Sequence, residues 1–160
     1  MRRLQFSVIC ASLILLFAST TQATVSSYSF TLVGPQTTGD GPGSTIRTTG
    51  SGSFDTEART VVASGSFTES NSTGGTARGT WTATSFVSFQ PLGGPNPGSQ
   101  GGVLQILVTM SFAGKDQETN VPMSVTCRIN HPLGFTGEEG ITIGSFREII
   151  RGATLFHLND

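Results

Sequence analysis

The chain has 160 residues, of which 36% are hydrophobic and only 12% charged, with a formal net charge of −1; an average soluble domain is about 25% charged. Glycine, serine and threonine together fill 63 positions, and Lys115 is the one lysine. This composition excludes a coiled coil, which draws on Ala, Glu, Lys and Leu, a nucleic-acid binder, which needs a basic excess, and collagen, which needs Gly at every third position.

Residues 1–23 read as a secretory signal peptide. Arg2 and Arg3 supply the positive start, Val8 to Ala18 the apolar core, and Thr21-Gln22-Ala23 the small residues before a cut after Ala23. The apolar core is shorter than the roughly 20 residues of a membrane span, and Cys10 lies inside it behind the bulky Ile9, which argues against a lipidation site. The expected mature chain, 24–160, is one secreted domain with a formal charge of −3 and a single cysteine, Cys127, so no intramolecular disulfide can form.

After the leader, apolar residues alternate with period two, the pattern of half-buried strands. In chain order the expected strands are Tyr28 to Val33, Ser44 to Phe54, Thr60 to Glu69, Thr76 to Phe89, Val103 to Phe112, Val121 to Ile129, Gly140 to Phe146 and Arg147 to Leu158. Gly34 to Gly43 is expected as a loop. Gln90 to Gly102, with three prolines and five glycines, is expected as a second loop, mobile or functional. The fold class is all-β: a single antiparallel meander of about eight strands, closed as an up-and-down barrel or folded as a barrel-like sandwich.

Alternation assigns the faces. Leu104, Ile106, Val108, Met110 and Phe112 point inward, as do Val121, Met123, Val125, Cys127 and Ile129. In the Trp81 strand the expected inward set is Trp81, Ala83, Ser85, Val87 and Phe89. A local repeat of small, small, aromatic runs through Gly50-x-Gly52-x-Phe54, Ala63-x-Gly65-x-Phe67 and Ala77-x-Gly79-x-Trp81. A turn at Glu57–Thr60 would set Phe67 opposite Gly50 and Phe54 opposite Ala63. A turn at Asn71–Gly75 would set Phe67 opposite Gly79 and Trp81 opposite Gly65. Rings over glycines pin the register and cover bare backbone.

The opposite face of the same strands carries Thr49, Ser51, Ser53, then Ser64, Ser66, Thr68, then Thr80, Thr82, Thr84, a hydroxyl field almost without charge. Its plain reading is a solvated face of good β-formers; its functional reading is contact with a carbohydrate or a cell-surface component, with Thr80, Thr82, Thr84, Ser64, Ser66 and Thr68 as candidates. The Thr-x-Thr run resembles the ice-contacting faces of secreted antifreeze proteins, which would imply an ice-binding role, although serines replace threonine on two of the three strands.

Asn71-Ser72-Thr73 is a glycosylation sequon in an expected turn. Metal ligands are sparse: His131 and His157 are the only histidines, Thr38-Gly39-Asp40-Gly41 has no second carboxylate at calcium-loop spacing, and neither a metal nor a cofactor is expected. For catalysis, His131 with Glu138 and Glu139 is the one place where a histidine and two acids could meet. Arg47, Arg59, Arg78, Arg128, Arg147 and Arg151 are scattered along the chain and form no basic stripe in sequence; on strands they are expected to discourage edge pairing.

The sequence therefore points to a secreted, non-catalytic domain for extracellular binding or surface structure, with no nucleic-acid partner and no membrane span after leader cleavage. The alternatives are a small barrel binding a small apolar ligand, a barrel-type enzyme with His131 at the mouth, and a subunit of an extracellular β-assembly in which a strand such as Tyr28–Val33 pairs with a neighbour.

Overall fold

A computed structural model describes residues 26–39, 41–96, 98–114, 116–129 and 131–159. The expected leader, with its cut after Ala23, lies outside the described residues, as do Asp40 and Lys115. The described chain is antiparallel β-structure: β1 (Ser27–Leu32), β2 (Gln36–Thr38), β3 (Thr45–Asp55), β4 (Thr60–Ser70), β5 (Thr76–Asn96), β6 (Ser99–Phe112), β7 (Glu118–Cys127), β8 (Gly140–Ile143), β9 (Glu148–Arg151) and β10 (Thr154–Leu158).

Ten strands replace the eight expected because β2 lies in the segment 34–43, expected as a loop, and the expected strand from Arg147 to Leu158 is split into β9 and β10. β1 and β2 lie end to end along β3, and β10 and β9 lie end to end along β1 and β2. The break between β1 and β2 falls where Gly34 takes a left-handed φ of 59° and Pro35 has no N–H to give to a ladder. Backbone bonds from Val33 N–H to Ala153 O (2.9 Å) and from Thr48 N–H to Pro35 O (2.9 Å) carry the alignment across it. The segment 34–43, expected as a loop, therefore contains a strand.

Backbone pairing runs β1–β3–β4–β5–β6–β10 and returns to β1, a ring completed by the single pair Phe156–Gln100. β7 and β8 extend from β6, and β2 and β9 extend from β3. Where β7 and β8 face β10 and β2 without a backbone ladder, side chains span the seam: Thr37 Oγ1 on β2 donates to Ile141 O on β8 (2.7 Å), and Thr154 Oγ1 on β10 to Thr126 O on β7 (2.5 Å). The result is a partly closed, barrel-like sheet.

Its interior is filled by side chains, as expected for a barrel of about this size. Trp81, Ile46, Leu104, Val108, Val125, Ile141 and Phe156 have no exposed surface. At one end six rings stack in a cluster. Phe54 sits at its centre, with ring centroids 5.1 Å from Tyr28, 4.9 Å from Phe89, 6.0 Å from both Phe86 and Phe156, and 6.3 Å from Phe30. The inward sets expected for β6 and β7 are as observed: Leu104, Ile106, Val108, Met110, Val121, Met123, Val125 and Cys127 are buried, and Phe112 and Ile129 pack partly buried against them.

Three expectations are corrected. First, 90–102 is no open loop; β5 and β6 run through it as a hairpin whose pairing reaches Asn96 and Ser99, and Leu92 is buried. Register shifts between Pro91 and Gly93 and between Gly93 and Asn96 absorb its prolines and glycines. Second, two more shifts, between Ala83 and Ser85 and between Phe86 and Ser88, each insert a residue into β5. Each insertion moves the inward positions along by one, so Phe86 and Phe89 pack on the core while Ser85 and Val87 are exposed. Third, β3 and β4 pair two residues away from the expected register: Gly50 faces Gly65, Thr48 faces Phe67 and Gly52 faces Ala63. The cause is Asp55. Its Oδ1 accepts the N–H of Glu57 (2.8 Å) and of Ala58 (2.7 Å), Arg59 adopts a φ of 55°, and Asp55 pairs with Thr60 around a longer turn. A shift by two keeps every side chain on its own face. The expected β4–β5 register is observed: Gly65 faces Trp81 and Phe67 faces Gly79.

The Gly50–Gly65 pair is the seat of Trp81. The indole Nε1–H donates to Thr49 O (3.1 Å), and a Cβ built on Gly65 would lie 2.6 Å from that nitrogen. Gly65→Ala is therefore expected to lower unfolding free energy by about 3 kcal/mol, the upper part of the overpacking range, in denaturant titration. Gly98→Ala, where an added Cβ meets nothing within 4 Å, is expected to be neutral.

The amides of the β3–β4 turn, first that of Ala58, hold the Asp55 carboxyl below its ordinary value of 3.8, with Ser26 Oγ adding a further bond. A depressed folded pKa contributes stability above the unfolded value and loses it as pH falls through the folded one. Acid titration followed by carboxyl NMR is expected to place the Asp55 midpoint below 3.8, and Asp55→Asn to remove the part of the acid destabilisation that occurs there.

Candidate functional site

The hydroxyl field forms as expected and is larger than the three strands suggested. Pairing joins the side chains into rows that cross the sheet. One row runs Thr31, Ser51, Ser64, Thr82, Thr109 over β1, β3, β4, β5 and β6. The next runs Thr49, Ser66, Thr80, Ser111. Neighbouring strands are about 4.8 Å apart and successive rows about 7 Å. Ser51, Ser64, Ser66, Thr80 and Thr82 are exposed, and Thr68 is half-buried.

The rows are neutral and their hydroxyls are mostly turned to solvent. Thr49 Oγ1 and Ser66 Oγ share a bond of 2.9 Å, and Thr84 Oγ1 donates to Leu107 O (3.1 Å). A shallow trough of about 410 Å³ lies over Ser51, Ser64 and Thr82, walled by Val62, which is 76% exposed. An uninterrupted run of threonine occurs on β5 alone among β3, β4 and β5; serines dominate β3 and β4, so the face does not repeat one side chain along both axes. Each hydroxyl can donate and accept, so the face offers paired donors and acceptors at fixed spacing.

The other candidates are not drawn together. His131 meets the Arg128 guanidinium (Nε2 to Nη2, 3.1 Å) and the Pro132 carbonyl (3.2 Å), with Phe135 beside its ring. Glu139 instead accepts the Thr154 N–H at 3.1 Å, and Glu138 is exposed on the outside of the seam. The histidine and the two acids thus serve separate local structures. His157 is exposed on β10, its Nδ1 3.0 Å from Gly98 O. Among the described residues no group of three potential metal ligands occurs. Asn71 is exposed in the β4–β5 turn, its Oδ1 accepting from the N–H of Thr73 (3.2 Å) and of Gly75 (2.8 Å) and from the Thr73 hydroxyl (2.9 Å). β1, named as a strand that might pair with a neighbour, has both edges paired, to β3 and β10.

Sequence reasoning missed two parts of the surface. Thr31, Thr109 and Ser111 join the rows only through pairing with β1 and β6. Three arginines that look scattered in the sequence, Arg47, Arg78 and Arg151, stand in one row on the same side of the sheet. No protein-family model, curated protein or solved structure matches the chain.

Cys127 is fully buried on β7 against the inner core. A thiol held there is inert to aqueous reagents. In native protein Cys127 is expected to stay unlabelled by a thiol-specific reagent on the timescale that labels it fully in denaturant, read by peptide mass spectrometry.

Proposed function

We propose that the chain is an exported, non-catalytic binding domain that takes a carbohydrate on the outer face of β1 and β3 to β6. The single observation behind this reading is the hydroxyl row Thr31–Ser51–Ser64–Thr82–Thr109, which crosses five paired strands without a charge. Sugars present the same dual donor and acceptor groups at comparable density. Each exchanged bond is worth only about 0.5–1.5 kcal/mol net, so affinity comes from many contacts on a rigid face, and a polymer suits it better than a monosaccharide. Export is supported by the leader pattern of residues 1–23, and absence of catalysis by the separate settings of His131, Glu138 and Glu139.

The filled interior favours an external site over an internal one: the largest side chains, Trp81, Phe30 and Phe156, occupy the space a small apolar ligand would need. The test is affinity electrophoresis of the mature chain through gels containing individual polysaccharides. Retardation by at least one is expected. Ser64→Asp with Thr82→Asp puts charge in the middle of the contact, where desolvation is costly, and is expected to weaken retention at least tenfold; the two carboxylates face each other across the β4–β5 ladder, so the melting temperature falls while circular dichroism shows the fold retained. Retention untouched by that double substitution, or no retention on any polysaccharide, would refute the reading.

A further inference from the structure

We propose that a row of arginines beside the hydroxyl rows selects an acidic polysaccharide, a polyuronate, as the ligand of this face; the proposal rests on the carbohydrate reading and adds the charge of the polymer. The row runs across five strands in residue-to-residue pairing: Arg151 on β9, Gln36 on β2, Arg47 on β3, Thr68 on β4 and Arg78 on β5. Gln36, Arg47 and Thr68 point outward, because their strand neighbours Thr37, Ile46, Thr48 and Phe67 are buried inside, and Arg78 and Arg151 are exposed. Arginine occurs at every second strand, which sets the charges about 10 Å apart and the whole row about 19 Å long.

Two of the guanidiniums, those of Arg47 and Arg151, are positioned by neighbours in the fold. Arg151 Nε donates to Gln36 Oε1 at 3.1 Å, which draws it along the row. The Arg47 guanidinium lies over Gly34, where a Cβ would come within 3.1 Å of Nη2. Among the described residues neither Arg47 nor Arg78 has a carboxylate partner. The chain as a whole carries a formal charge of −1, so this row is a local exception to the sign of the protein. Glu69 and Glu118 line a separate recess at one end of the sheet, about 200 Å³ with Phe112 and Phe146 in its wall.

A single guanidinium at each position matches a carboxylate, which it meets with two parallel N–H bonds. In an extended polyuronate with alternating sugar orientation, every second carboxylate faces the same way, a two-sugar period of the same order as the two-strand period of the row. The row is bordered by Glu148–Thr38–Thr45–Ser70–Thr76 on one side and Thr49–Ser66–Thr80 on the other; the hydroxyls supply partners for the sugar hydroxyls between the charges, and Glu148, bonded to Thr38 Oγ1 at 3.1 Å, is the one acid there, at the Arg151 end. Single-stranded nucleic acid would instead call for aromatic platforms on which bases stack, and the row and its borders contain no aromatic residue.

The experiment measures binding of the mature chain to polygalacturonate, to a sulfated glucan, to an uncharged glucan, to single-stranded DNA and to anionic phospholipid vesicles, each over a salt series. Polygalacturonate is expected to bind most tightly. Arg47→Ala and Arg78→Ala are each expected to weaken it about tenfold and to flatten its salt dependence, while Arg59→Ala, in the β3–β4 turn away from the row, leaves it unchanged. Thr68→Glu, which sets a carboxylate between two of the arginines, is expected to abolish it with the melting temperature retained. Equal binding of the uncharged glucan, or arginine variants that bind polygalacturonate as before, would overturn the arginine row while leaving the carbohydrate reading intact. Preference for the sulfated glucan, DNA or vesicles would overturn the polyuronate assignment, and failure to bind any polysaccharide would overturn both readings.

Discussion

The seat of one indole ring organises this sheet. Trp81 can lie against β3 and β4 only because Gly50 and Gly65 stand opposite one another and leave the backbone bare. Its Nε1–H then finds the Thr49 carbonyl, so a buried donor is satisfied by the strand it packs on. A slip of one residue would put a hydroxyl side chain under the ring and turn the apolar sets of three strands to solvent. The alternation of inward aromatics with outward hydroxyls, and hence every row on the outer face, follows from that one fit. Phe67 over Gly79 and Phe89 over Gly102 repeat the arrangement farther along.

Much of this was legible in the sequence. Period-two alternation identified the strands and the inner faces of β6 and β7, and the aromatic–glycine repeat predicted the β4–β5 register, where the Asn71 side chain closes the 71–75 turn on the amides of Thr73 and Gly75. What failed did so through backbone detail. The Asp55 carboxylate competes for the turn amides and lengthens the β3–β4 connection, a choice that alternation alone cannot see. The insertions in β5 reverse the faces of Ser85, Phe86 and Val87, and glycine and proline counts made a bulged hairpin look like a loop.

The surface shows how such small errors propagate. With the register expected from sequence, Arg47 would face Ser70; with the observed one it faces Thr68, whose other neighbour is Arg78. β2, hidden in an expected loop, supplies Gln36 and so brings in Arg151. Residues separated by more than 100 positions in the chain become neighbours in one line only after two pairings are known. The hydroxyl field needed no such precision, since shifts by two preserve each face.

The side chains that join β2 to β8 and β10 to β7 give the sheet a line of unequal strength. Most other strand pairs, the single β10–β6 pair excepted, are held by ladders of backbone bonds that must part together. Here the contact depends on hydroxyls such as those of Thr37 and Thr154, backed by the Glu139 carboxylate. Segments with few cooperative bonds open at lower free energy than the structure as a whole. The molecule is thus built less like a hoop than like a clasped cuff: the hydroxyl row from Thr31 to Thr109 lies on β1 and β3 to β6, away from the clasp, whereas Arg151, on β9, lies beside it, so loosening there disturbs the arginine row before the hydroxyl rows.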